Sequence, residues 1–447
     1  MLKRVGELEK LASVSVKEAT FPAPFHEGLE YSSPARGTWN IVHTGMLIPE
    51  SHQIFVCAQG CLRGVVLTAA EMGAMGRYSA IQIREENVLD GNMEELMTEG
   101  VADVLEKLPY RPKAVLLFIS CQHFFLAYDQ KLVFESLRQR FPDIRFMDCY
   151  MIPTLRKSGL TPDQKMRRQL FSLLEPQKIH PKKLNLLGSN LALAKDCELR
   201  EYLAEYGYEL CQLNDCETFE DYMKMAQAKC NLFYEPMALP AVQDMKERLG
   251  QDYLYQKFSF SFQELQENYK KLAEYLEIPA PDFRNLQHQV KEKWRETKEL
   301  VGDTPVVVDY TFTFCVLSFT RMLLEQGFRV TTVYADGFFP EEQQDFDWIQ
   351  SHYPQIKIIS CNQPAMRAVG SAASKAEKKE KVLALGQKAA YFSGTDYFVN
   401  VVESGGFYGY QGMLTIADKM QEAFLIPGNR RKVIQKKGYG CESCVIM

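Results

Sequence analysis

The sequence predicts an α/β protein with three Rossmann-like domains, each a parallel sheet flanked by helices. Short apolar or β-branched runs, typical of buried strands, are followed many times by amphipathic helical stretches. This alternation indicates βαβ units and therefore parallel sheets with helices on both faces. The length of 447 residues also favours two or three domains over a single core.

The strands and helices are predicted from these patterns in chain order. The runs that predict strands are 53–58, 114–120, 144–152, 183–189, 230–236, 305–310, 329–336 and 356–360. The stretches that predict helices are 92–108, 199–208, 311–327 and 343–353, and the charged run 375–388 is predicted to be a solvated helix face. Ligands of such sheets bind at the carboxyl ends of the strands, so residues directly after the runs are the first functional candidates.

Two changes in the pattern suggest domain boundaries. The segment 176–182, PQKIHPK, is polar and contains proline before a new strand. From 257 to 304 the strand pattern stops, and two helical stretches are separated by proline-containing residues 279–281. The predicted organisation is an N-terminal domain at 20–180, a middle domain at 181–256, a helical connector at 257–302, a C-terminal domain at 303–427 and a basic tail at 428–447.

The composition argues against several classes of partner. Lys and Arg total 52 against 57 Asp and Glu, so the net charge is −5 and nucleic acid is not expected to bind. No stretch reaches the roughly 18 apolar residues of a membrane span, so no membrane partner is expected. The charged N-terminus lacks the apolar core of a signal peptide. The protein is therefore predicted to be cytoplasmic.

Several catalytic motifs are absent from the sequence. There is no G-x-x-x-x-G-K-S/T P-loop and no G-x-G-x-x-G after a strand, so neither an ATP site nor an NAD site is expected on this chain. There is also no G-x-S-x-G nucleophile elbow and no H-E-x-x-H zinc helix. Any redox chemistry is therefore expected to use a cofactor other than NAD.

Three of the twelve cysteines stand where a cofactor would bind. Cys57 and Cys61 come where one predicted strand ends and a helix is expected to begin, and Cys121 directly follows another strand. Thiols at the carboxyl ends of strands in one parallel sheet can converge. The positive ends of the following helices would stabilise thiolates there. In a chain without a secretion signal, reduced thiols or metal ligands are expected rather than a disulfide framework.

The spacing of these cysteines leaves three interpretations open. Cys-x3-Cys is compatible with an iron–sulfur cluster, which usually has four thiolate ligands, and also with zinc, which normally takes four ligands. The third interpretation is that the thiols are buried and pack as small hydrophobic side chains. Three cysteines on one chain would leave a cluster site to be completed by another chain or by a different kind of ligand.

Two segments resemble the cluster-binding region of the nitrogenase component 1 superfamily. They are RGTWNIVHTGMLIPESHQIFVCAQGCLRGVVLTAAEMG at 36–73 and AVLLFISCQHFFLAYD at 114–129. Cys61 and Cys121 stand at the places of that family's H-x-P-x-G-C loop and C-P turn. The segment ESGGFYGYQGMLTIADKM at 403–420 is similar to the family's G-x-Y-x-G-x-x-G turn, so the resemblance covers nearly the whole chain.

The resemblance implies a cofactor and partners. The cofactor would be an iron–sulfur cluster, [4Fe–4S] or a larger related type, on Cys57, Cys61 and Cys121 at a subunit interface. The partners would be a homologous subunit in a homodimer, heterodimer or heterotetramer, a cluster-bearing ATPase that supplies electrons, and a small-molecule substrate. Because this chain has no P-loop, it would not be the ATPase itself.

The chain also departs from the family pattern. The family's first cluster cysteine falls near SPARG at 33–37, where this chain has none, and Cys57 could take its place. The large cofactor of nitrogenase is held by a middle-domain Cys and a His before the C-terminal turn. The corresponding stretches here, 231–237 and 394–406, contain neither ligand, and the nearby Cys230 is interpreted as a buried thiol. A resident iron–molybdenum-type cofactor is therefore not expected.

Three polar residues near the cysteine loop are weaker catalytic candidates. Glu50 and His52 could deliver protons, and Arg63 could neutralise cluster charge or hold an anionic substrate. Each has a favoured structural interpretation: Glu50 caps a turn, His52 is a hydrogen-bonded core histidine, and Arg63 pairs with an acid.

The tail carries two further cysteines. Cys444 ends the chain in C-a-a-X form behind basic residues, which in eukaryotes suggests prenylation, whereas the superfamily is chiefly bacterial and archaeal. Cys441 and Cys444 also form Cys-x2-Cys, which could bind a metal or exchange disulfides. A disordered tail with two exposed thiols is the favoured interpretation.

Three functions are therefore compatible with the sequence. The leading one is an electron-transferring, nitrogenase-like reductase subunit. The second is a scaffold or carrier on which a metallocluster or tetrapyrrole-like cofactor is assembled. The third is a cluster-free small-molecule binding protein of the same fold.

Overall fold

The structure, a computed structural model, describes residues 12–25, 40–152, 159–361, 363, 366, 380–430 and 432–433. These residues separate into two compact units. The first unit comprises the described residues within 1–28, 191–207 and 256–434, and the second comprises those within 29–190 and 208–255.

The elements are numbered in chain order. The strands are β1 (Ser13–Ser15), β2 (Ser51–Cys57), β3 (Tyr78–Gln82), β4 (Ala114–Ser120), β5 (Arg145–Met151), β6 (His180–Leu187), β7 (Glu209–Cys211), β8 (Ala228–Phe233), β9 (Asp252–Tyr255), β10 (Val306–Asp309), β11 (Val330–Tyr334), β12 (Lys357–Ile359), β13 (Leu383–Leu385) and β14 (Phe398–Val399). The α-helices are α1 (Ile41–Met46), α2 (Gln59–Glu71), α3 (Glu85–Asp90), α4 (Met93–Lys107), α5 (Cys121–Phe125), α6 (Gln130–Arg140), α7 (Pro162–Gln169), α8 (Glu198–Glu205), α9 (Phe219–Lys224), α10 (Leu239–Leu249), α11 (Phe262–Leu276), α12 (Arg284–Val301), α13 (Val316–Glu325), α14 (Gln343–His352), α15 (Gln387–Ser393) and α16 (Gly409–Leu425).

One sheet of the second unit has the order β3-β2-β4-β5, with all strands parallel. Every residue of β2 and β4 is buried, which explains why β4 is an almost continuous apolar run and β2 is apolar from Ile54 onward. Alternate residues face two different cores. Phe55 and Phe118 stack on one face with their ring centroids 4.3 Å apart, and Ile54 and Val115 pack on the other.

The other sheet of the second unit has the order β7-β6-β8-β9 and is also parallel. Two fully buried amides lie side by side within it. The Nδ2 of Asn185 donates to the Oδ1 of Asn231 at 2.8 Å, and the Nδ2 of Asn231 donates to the Oε1 of Gln251 at 3.2 Å. Buried polar groups need such partners, so this chain of amides fixes the pairing of β6 with β8.

The sheet of the first unit has the order β1-β12-β11-β10-β13-β14. The strands β10 to β14 pair in parallel, whereas β1 runs antiparallel to β12. The chain proceeds from β10 through β11 to β12 on one side and then returns to place β13 on the other side. The topological switch point of this sheet therefore lies between the carboxyl ends of β10 and β13.

The helical pair predicted for 257–304 is present as α11 and α12. Proline-containing residues separate the two helices, as the sequence indicated. The helix α12 packs against α16, with Trp294 fully buried on α12. Among the helices of the described residues, none has the length and apolar character needed to cross a bilayer.

The fold class is confirmed: three sheets of mainly parallel strands are flanked by helices, and all eight predicted strands are present. The predicted domain boundaries stay predictions. The interpretation of 375–388 as a solvated helix face was wrong where the structure describes this run. Residues 383–385 form β13, which is fully buried because it pairs with β10 on one side and β14 on the other.

The helix predicted for 311–327 begins only at Val316. The preceding residues form a turn instead, because the Oδ1 of Asp309 accepts hydrogen bonds from the backbone N–H groups of Thr311 at 2.7 Å and Phe312 at 3.2 Å. An Asp side chain that binds the backbone two residues ahead competes with helix formation in this way.

Candidate metal centre

The structure brings Cys57, Cys61 and Cys121 to one edge of a sheet. Cys57 is the last residue of β2, Cys61 lies in the first turn of α2, and Cys121 begins α5 directly after β4. The strands β2 and β4 are hydrogen-bonded neighbours. The three thiols are close enough for their charges to interact: burial, and then charge on Cys61 and Cys121, raises the pKa of Cys57 to about 12.

The three thiols differ in exposure. Cys57 is fully buried on the same face of the sheet as Phe55, whereas Cys61 is exposed and Cys121 is partly exposed. Burial, and then charge on Cys121, also raises the pKa of Cys61. Removal from water disfavours the thiolate form at both residues. Binding of a metal would release protons from these thiols.

Thiols at this edge are ligands that suit either an iron–sulfur cluster or zinc. Within the described ranges, no group of three or more His, Cys, Asp or Glu side chains is close enough to hold one metal ion. A [4Fe–4S] cluster takes one thiolate on each of its four irons, so its ligands stand farther apart than those of one zinc ion. All ten described cysteines, including these three, are free thiols. This arrangement gives no support to the zinc and disulfide interpretations.

Gln122 connects the two segments that carry the cysteines. Its Oε1 accepts a hydrogen bond from the backbone N–H of Ala58 at 3.2 Å, and the Oγ of Ser120 lies 3.1 Å from the same oxygen. Ala58 stands between Cys57 and Cys61. Gln122 occupies the position that is proline in the C-P turn of the family that the sequence resembles. Gln122 was not among the sequence candidates. Its departure from the family's C-P turn is the feature of the sequence that could have indicated it.

His123 is a second residue that the sequence analysis missed. Its ring is buried, its Nδ1 accepts a hydrogen bond from the N–H of Ser120 at 3.2 Å, and it packs edge-on against Tyr128 at 4.9 Å between centroids. Burial lowers the pKa of His123 to about 4, so the imidazole is neutral. Its Nε2 has no hydrogen-bond partner within the part of the chain that the structure describes.

Glu50 and His52 lie at the opposite end of β2 from Cys57. Five residues separate His52 from Cys57 along the strand, which corresponds to roughly 16 Å. His52 is fully buried, with Nδ1 2.7 Å from the Oη of Tyr110 and Nε2 2.8 Å from the Oγ of Ser79. The Oε2 of Glu50 accepts from the N–H of Phe219 at 2.8 Å. The structure therefore does not bring Glu50 or His52 to the thiols.

The remaining sequence candidates have different outcomes. Arg63 is exposed on α2, two residues after Cys61, so it stays a candidate of the cysteine edge. Cys230 is buried in β8, as expected for a packing thiol. Cys441, Cys444 and the segment 33–37 lie outside the described residues.

An apolar surface adjoins the cysteines. Phe124 is 49% exposed, Phe125 is 78% exposed and Leu126 is 37% exposed, all within five residues of Cys121. A side chain added at Gly60 would meet nothing within 4 Å, so the turn beside Cys61 borders open space. Contiguous exposed apolar side chains of this kind mark surfaces that bind a partner.

A family model described as nitrogenase component 1 type oxidoreductase matches residues 42–425. The chain belongs to this family. No curated protein sequence matches it. Solved structures of nitrogenase Cp1 are similar: at pH 6.5 the TM-score is 0.66 with 11% identity over 94% of this chain and 96% of that chain. At pH 5 the TM-score is 0.58 with 13% identity over 95% and 96%. At this identity the likeness shows the fold, which is the one the sequence predicted.

The glycine-rich turn that resembles the family motif is explained by close approaches in the first unit. Gly406 and Gly409 both have positive φ angles, +75° and +74°. A Cβ at Gly406 would collide with the carbonyl oxygen of Ala192, and one at Gly409 would collide with the carboxylate of Glu198. Glu198 in turn accepts from the N–H of Tyr410 at 2.6 Å, at the start of α16. These glycines are therefore required for packing.

A second polar cluster lies at the switch point of the six-stranded sheet of this family member. It contains Tyr310 after β10, Asp336 after β11, Cys361 after β12 and Lys388 after β13. The Nζ of Lys388 donates to the Oη of Tyr310, and Asp336 accepts from the N–H of Cys361 at 3.0 Å. Burial opposes the charge of Lys388, but Tyr310 and Cys361 raise its pKa, so the amine is protonated. The strands leading to these residues were predicted, except β13.

Proposed function

We propose that this chain is the electron-accepting subunit of a nitrogenase-like oxidoreductase of the cytoplasm. It would hold an iron–sulfur cluster, either [4Fe–4S] or a larger related type, on Cys61 and Cys121, with Cys57 as the third ligand. The observation that carries this proposal is the convergence of these three thiols at the ends of two adjacent strands, in a chain of the nitrogenase component 1 type family.

Each thiol has a distinct part in this proposal. When bound, the cluster supplies one-electron transfer. Cys61 and Cys121 are the accessible thiols, so they would take up the cluster from the outer side of the sheet edge. Cys57 is buried behind them and would have to lose its proton in a poorly solvated place, which makes it the weakest ligand. Three cysteines leave one position for a ligand of another chain.

The apolar surface formed by Phe124, Phe125 and Leu126 supports a homologous subunit as the partner that covers the cluster. An exposed thiol and exposed aromatic rings on neighbouring residues would be buried together by one docking surface. The partner subunit, identical or homologous, would supply the remaining ligand. Covering the site would also keep water and oxygen from the cluster.

The electrons would come from a second partner, an ATP-dependent reductase that carries its own cluster. This assignment is supported by the family and by the lack of a P-loop on this chain, because such a complex needs an ATPase on some other component.

The substrate would be a small molecule that binds at the switch point beside Lys388 and Tyr310. The carboxyl edge of a parallel sheet, at its switch point, is where ligands of α/β proteins bind. A protonated amine and a phenol there can donate hydrogen bonds to a carbonyl or carboxylate oxygen, and clustered titratable groups of this kind mark functional sites.

Anaerobic purification, reconstitution with iron and sulfide, and EPR spectroscopy after reduction test the proposal. The wild-type chain is expected to take up iron and sulfide, and Cys61→Ala or Cys121→Ala is expected to abolish the EPR signal. Cys211→Ala removes a partly exposed thiol of another strand end and serves as the control. A wild-type protein that stays colourless and iron-free would refute the cluster.

Turnover with an ATP-dependent reductase separates this function from the scaffold alternative. An oxidoreductase consumes electrons and ATP through many cycles while its iron content stays constant. A scaffold or carrier instead loses its iron or cofactor to an acceptor protein, without catalytic consumption of electrons.

A further inference from the structure

The backbone of Ala58 is the point at which the cysteine-bearing segments of the second unit are joined. Its N–H donates to the Oε1 of Gln122, and its carbonyl oxygen accepts from the N–H of Cys61 at 2.9 Å. Ala58 is also the residue directly after Cys57. A continuous path of two hydrogen bonds therefore runs from the residue after Cys121, through the residue after Cys57, to Cys61.

The orientation of the Gln122 amide follows from its partners. A backbone N–H can only donate, so the group that faces Ala58 must be the oxygen of the amide and not its nitrogen. The second neighbour, the hydroxyl of Ser120 at 3.1 Å, can donate to the same oxygen. The two N–H donors of Nε2 are consequently turned away from Ala58.

Neither β2 nor α2 supplies another partner for the N–H of Ala58. The ladder between β2 and β3 ends where the N–H of Ile83 donates to the carbonyl oxygen of Cys57. Ala58 is the N-cap residue of α2, and an alanine has no side chain that could cap the helix. The turn that carries Cys57 and Cys61 thus depends on a side chain from the next strand end for its attachment to α5.

We infer that Gln122 is a positioning residue that sets the distance between Cys121 and the Cys57–Cys61 turn. It acts on the cluster through the backbone of Ala58. This inference rests on the proposed function for its chemical purpose. The C-P turn that the resemblance associates with this place has no side-chain amide. In this chain, the amide of Gln122 holds the turn instead.

Two variants distinguish the effect of the hydrogen bond between Gln122 and Ala58 from the effect of charge at position 122. Gln122→Leu leaves an apolar side chain of comparable bulk but removes the acceptor, and Gln122→Glu keeps an acceptor oxygen but adds a negative charge. Gln59→Ala changes an exposed glutamine of the same turn and is the matched control. Hydrogen–deuterium exchange of the Ala58 amide, resolved by fragmentation in a mass spectrometer, measures the attachment in the cluster-free protein.

In Gln122→Leu, exchange of the Ala58 amide is expected to accelerate about fivefold or more, which is the factor for one lost hydrogen bond. The yield of a Cys61–Cys121 cross-link made with a short bifunctional reagent is expected to fall, and less iron is retained after reconstitution. In Gln122→Glu, the amide stays protected and iron is retained, but the reduction potential becomes more negative because net charge near a cluster lowers it. Gln59→Ala is expected to match the wild type in every measurement.

Unchanged Ala58 exchange and an unchanged cross-link yield in Gln122→Leu would overturn the inference, even if the wild type binds iron normally. Failure of the proposed function gives a different result. In that case the wild-type chain takes up no iron, while the exchange and cross-linking measurements on the cluster-free protein still decide whether Gln122 holds the two segments together.

Discussion

At the scale of single residues, burial dominates the chemistry of the titratable groups around the first sheet of the second unit. Cys57 and His52 lie at the two ends of the same buried strand. Removing charge from water raises the pKa of the thiol and lowers the pKa of the imidazole, and the same physical cause therefore keeps both groups neutral. His52 is consequently a structural residue whose neutrality the fold requires.

The buried His52 predicts a loss of stability in acid. Burial, assisted by the nearby Arg77, lowers the pKa of His52 to about 4 in the folded protein, against 6.5 for an exposed histidine. Between pH 4 and 6.5, the His52 imidazole is therefore protonated in the unfolded chain and neutral in the folded chain. The contribution of His52 to the free energy of unfolding should therefore be largest above pH 6.5 and fall by about 3 kcal/mol as the pH drops to 4.

Urea denaturation of the wild type and of His52→Gln across this pH range measures the contribution. The variant is expected to be less stable at pH 7 but to lose less stability on acidification, because the titrating group is gone. Equal slopes in the wild type and His52→Gln would contradict the assignment.

Candidate site residues could be predicted from the sequence where their position relative to the end of a strand is visible. Cys61 and Cys121 were found because the end of a buried strand is visible as the end of an apolar run. Gln122 and His123 were not found, because their importance depends on a hydrogen bond across 64 residues and on a buried imidazole, neither of which leaves a local pattern. The metal-binding role of the three cysteines itself remains a prediction.

At the scale of elements, the start of α16 depends on a buried carboxylate. Glu198 accepts hydrogen bonds from the N–H groups of Tyr410 and Gln411 and from the hydroxyl of Tyr269 at 3.0 Å. A carboxylate at a helix N-terminus satisfies unpaired donors and interacts favourably with the helix dipole. Gly409 has no side chain, which allows this carboxylate to approach the backbone closely.

Gly409→Ala is expected to destabilise the protein by about 2 kcal/mol or more, because the new Cβ would strike Glu198 and the positive φ disfavours alanine. Gly60→Ala is the matched comparison: Gly60 is helical and its Cβ would meet nothing, so alanine should be neutral or stabilising by up to about 1 kcal/mol. Thermal unfolding of the two variants measures the difference. Similar melting temperatures would show that the approach of Glu198 is not a constraint.

Strands were predictable from the sequence where they are buried on both faces of a sheet. Strands β2, β4 and β10 are entirely buried, and each was visible as an apolar run. Strand β9 has no fully buried residue, and β3 alternates between buried and exposed positions, so neither formed such a run. Strand β13 was hidden by the charged run before it, because lysine and glutamate residues upstream suggested a longer solvated helix.

At the scale of the whole molecule, the family and the fold class were predictable, and the predicted domain boundaries stay predictions. The chain passes repeatedly between units: residues 191–207, which contain α8, belong with the C-terminal part of the chain, and 208–255 belong with the N-terminal part. Sequence patterns reveal where elements begin and end. They do not reveal which distant elements share a core, since that depends on tertiary contacts.

The proposed association with a homologous subunit is also a property of the whole molecule. It predicts that a change in the apolar surface formed by Phe124, Phe125 and Leu126 alters the strength of that association. Phe125 is 78% exposed beside Cys121, so burial of its ring against a homologous subunit would stabilise the complex by about 2 kcal/mol. Phe125→Ser is expected to raise the dissociation constant of the oligomer by more than about tenfold.

Analytical ultracentrifugation over a range of protein concentrations tests this prediction. Leu425→Ser removes a side chain that is 62% exposed in the other unit, and it should leave the association unaffected. If Phe125→Ser assembles like the wild type, the partner subunit docks elsewhere and the cysteine edge is not the interface.

The antiparallel pairing of Ser13–Ser15 with Lys357–Ile359 affects the tendency of the protein to aggregate. The short N-terminal strand occupies the outer side of β12, where an unpaired strand would present a row of N–H and C=O groups to other molecules. Truncation that removes Ser13–Ser15 would expose that row. A shortened chain is then expected to self-associate edge to edge, so the first strand protects the protein against aggregation at a site far along the sequence.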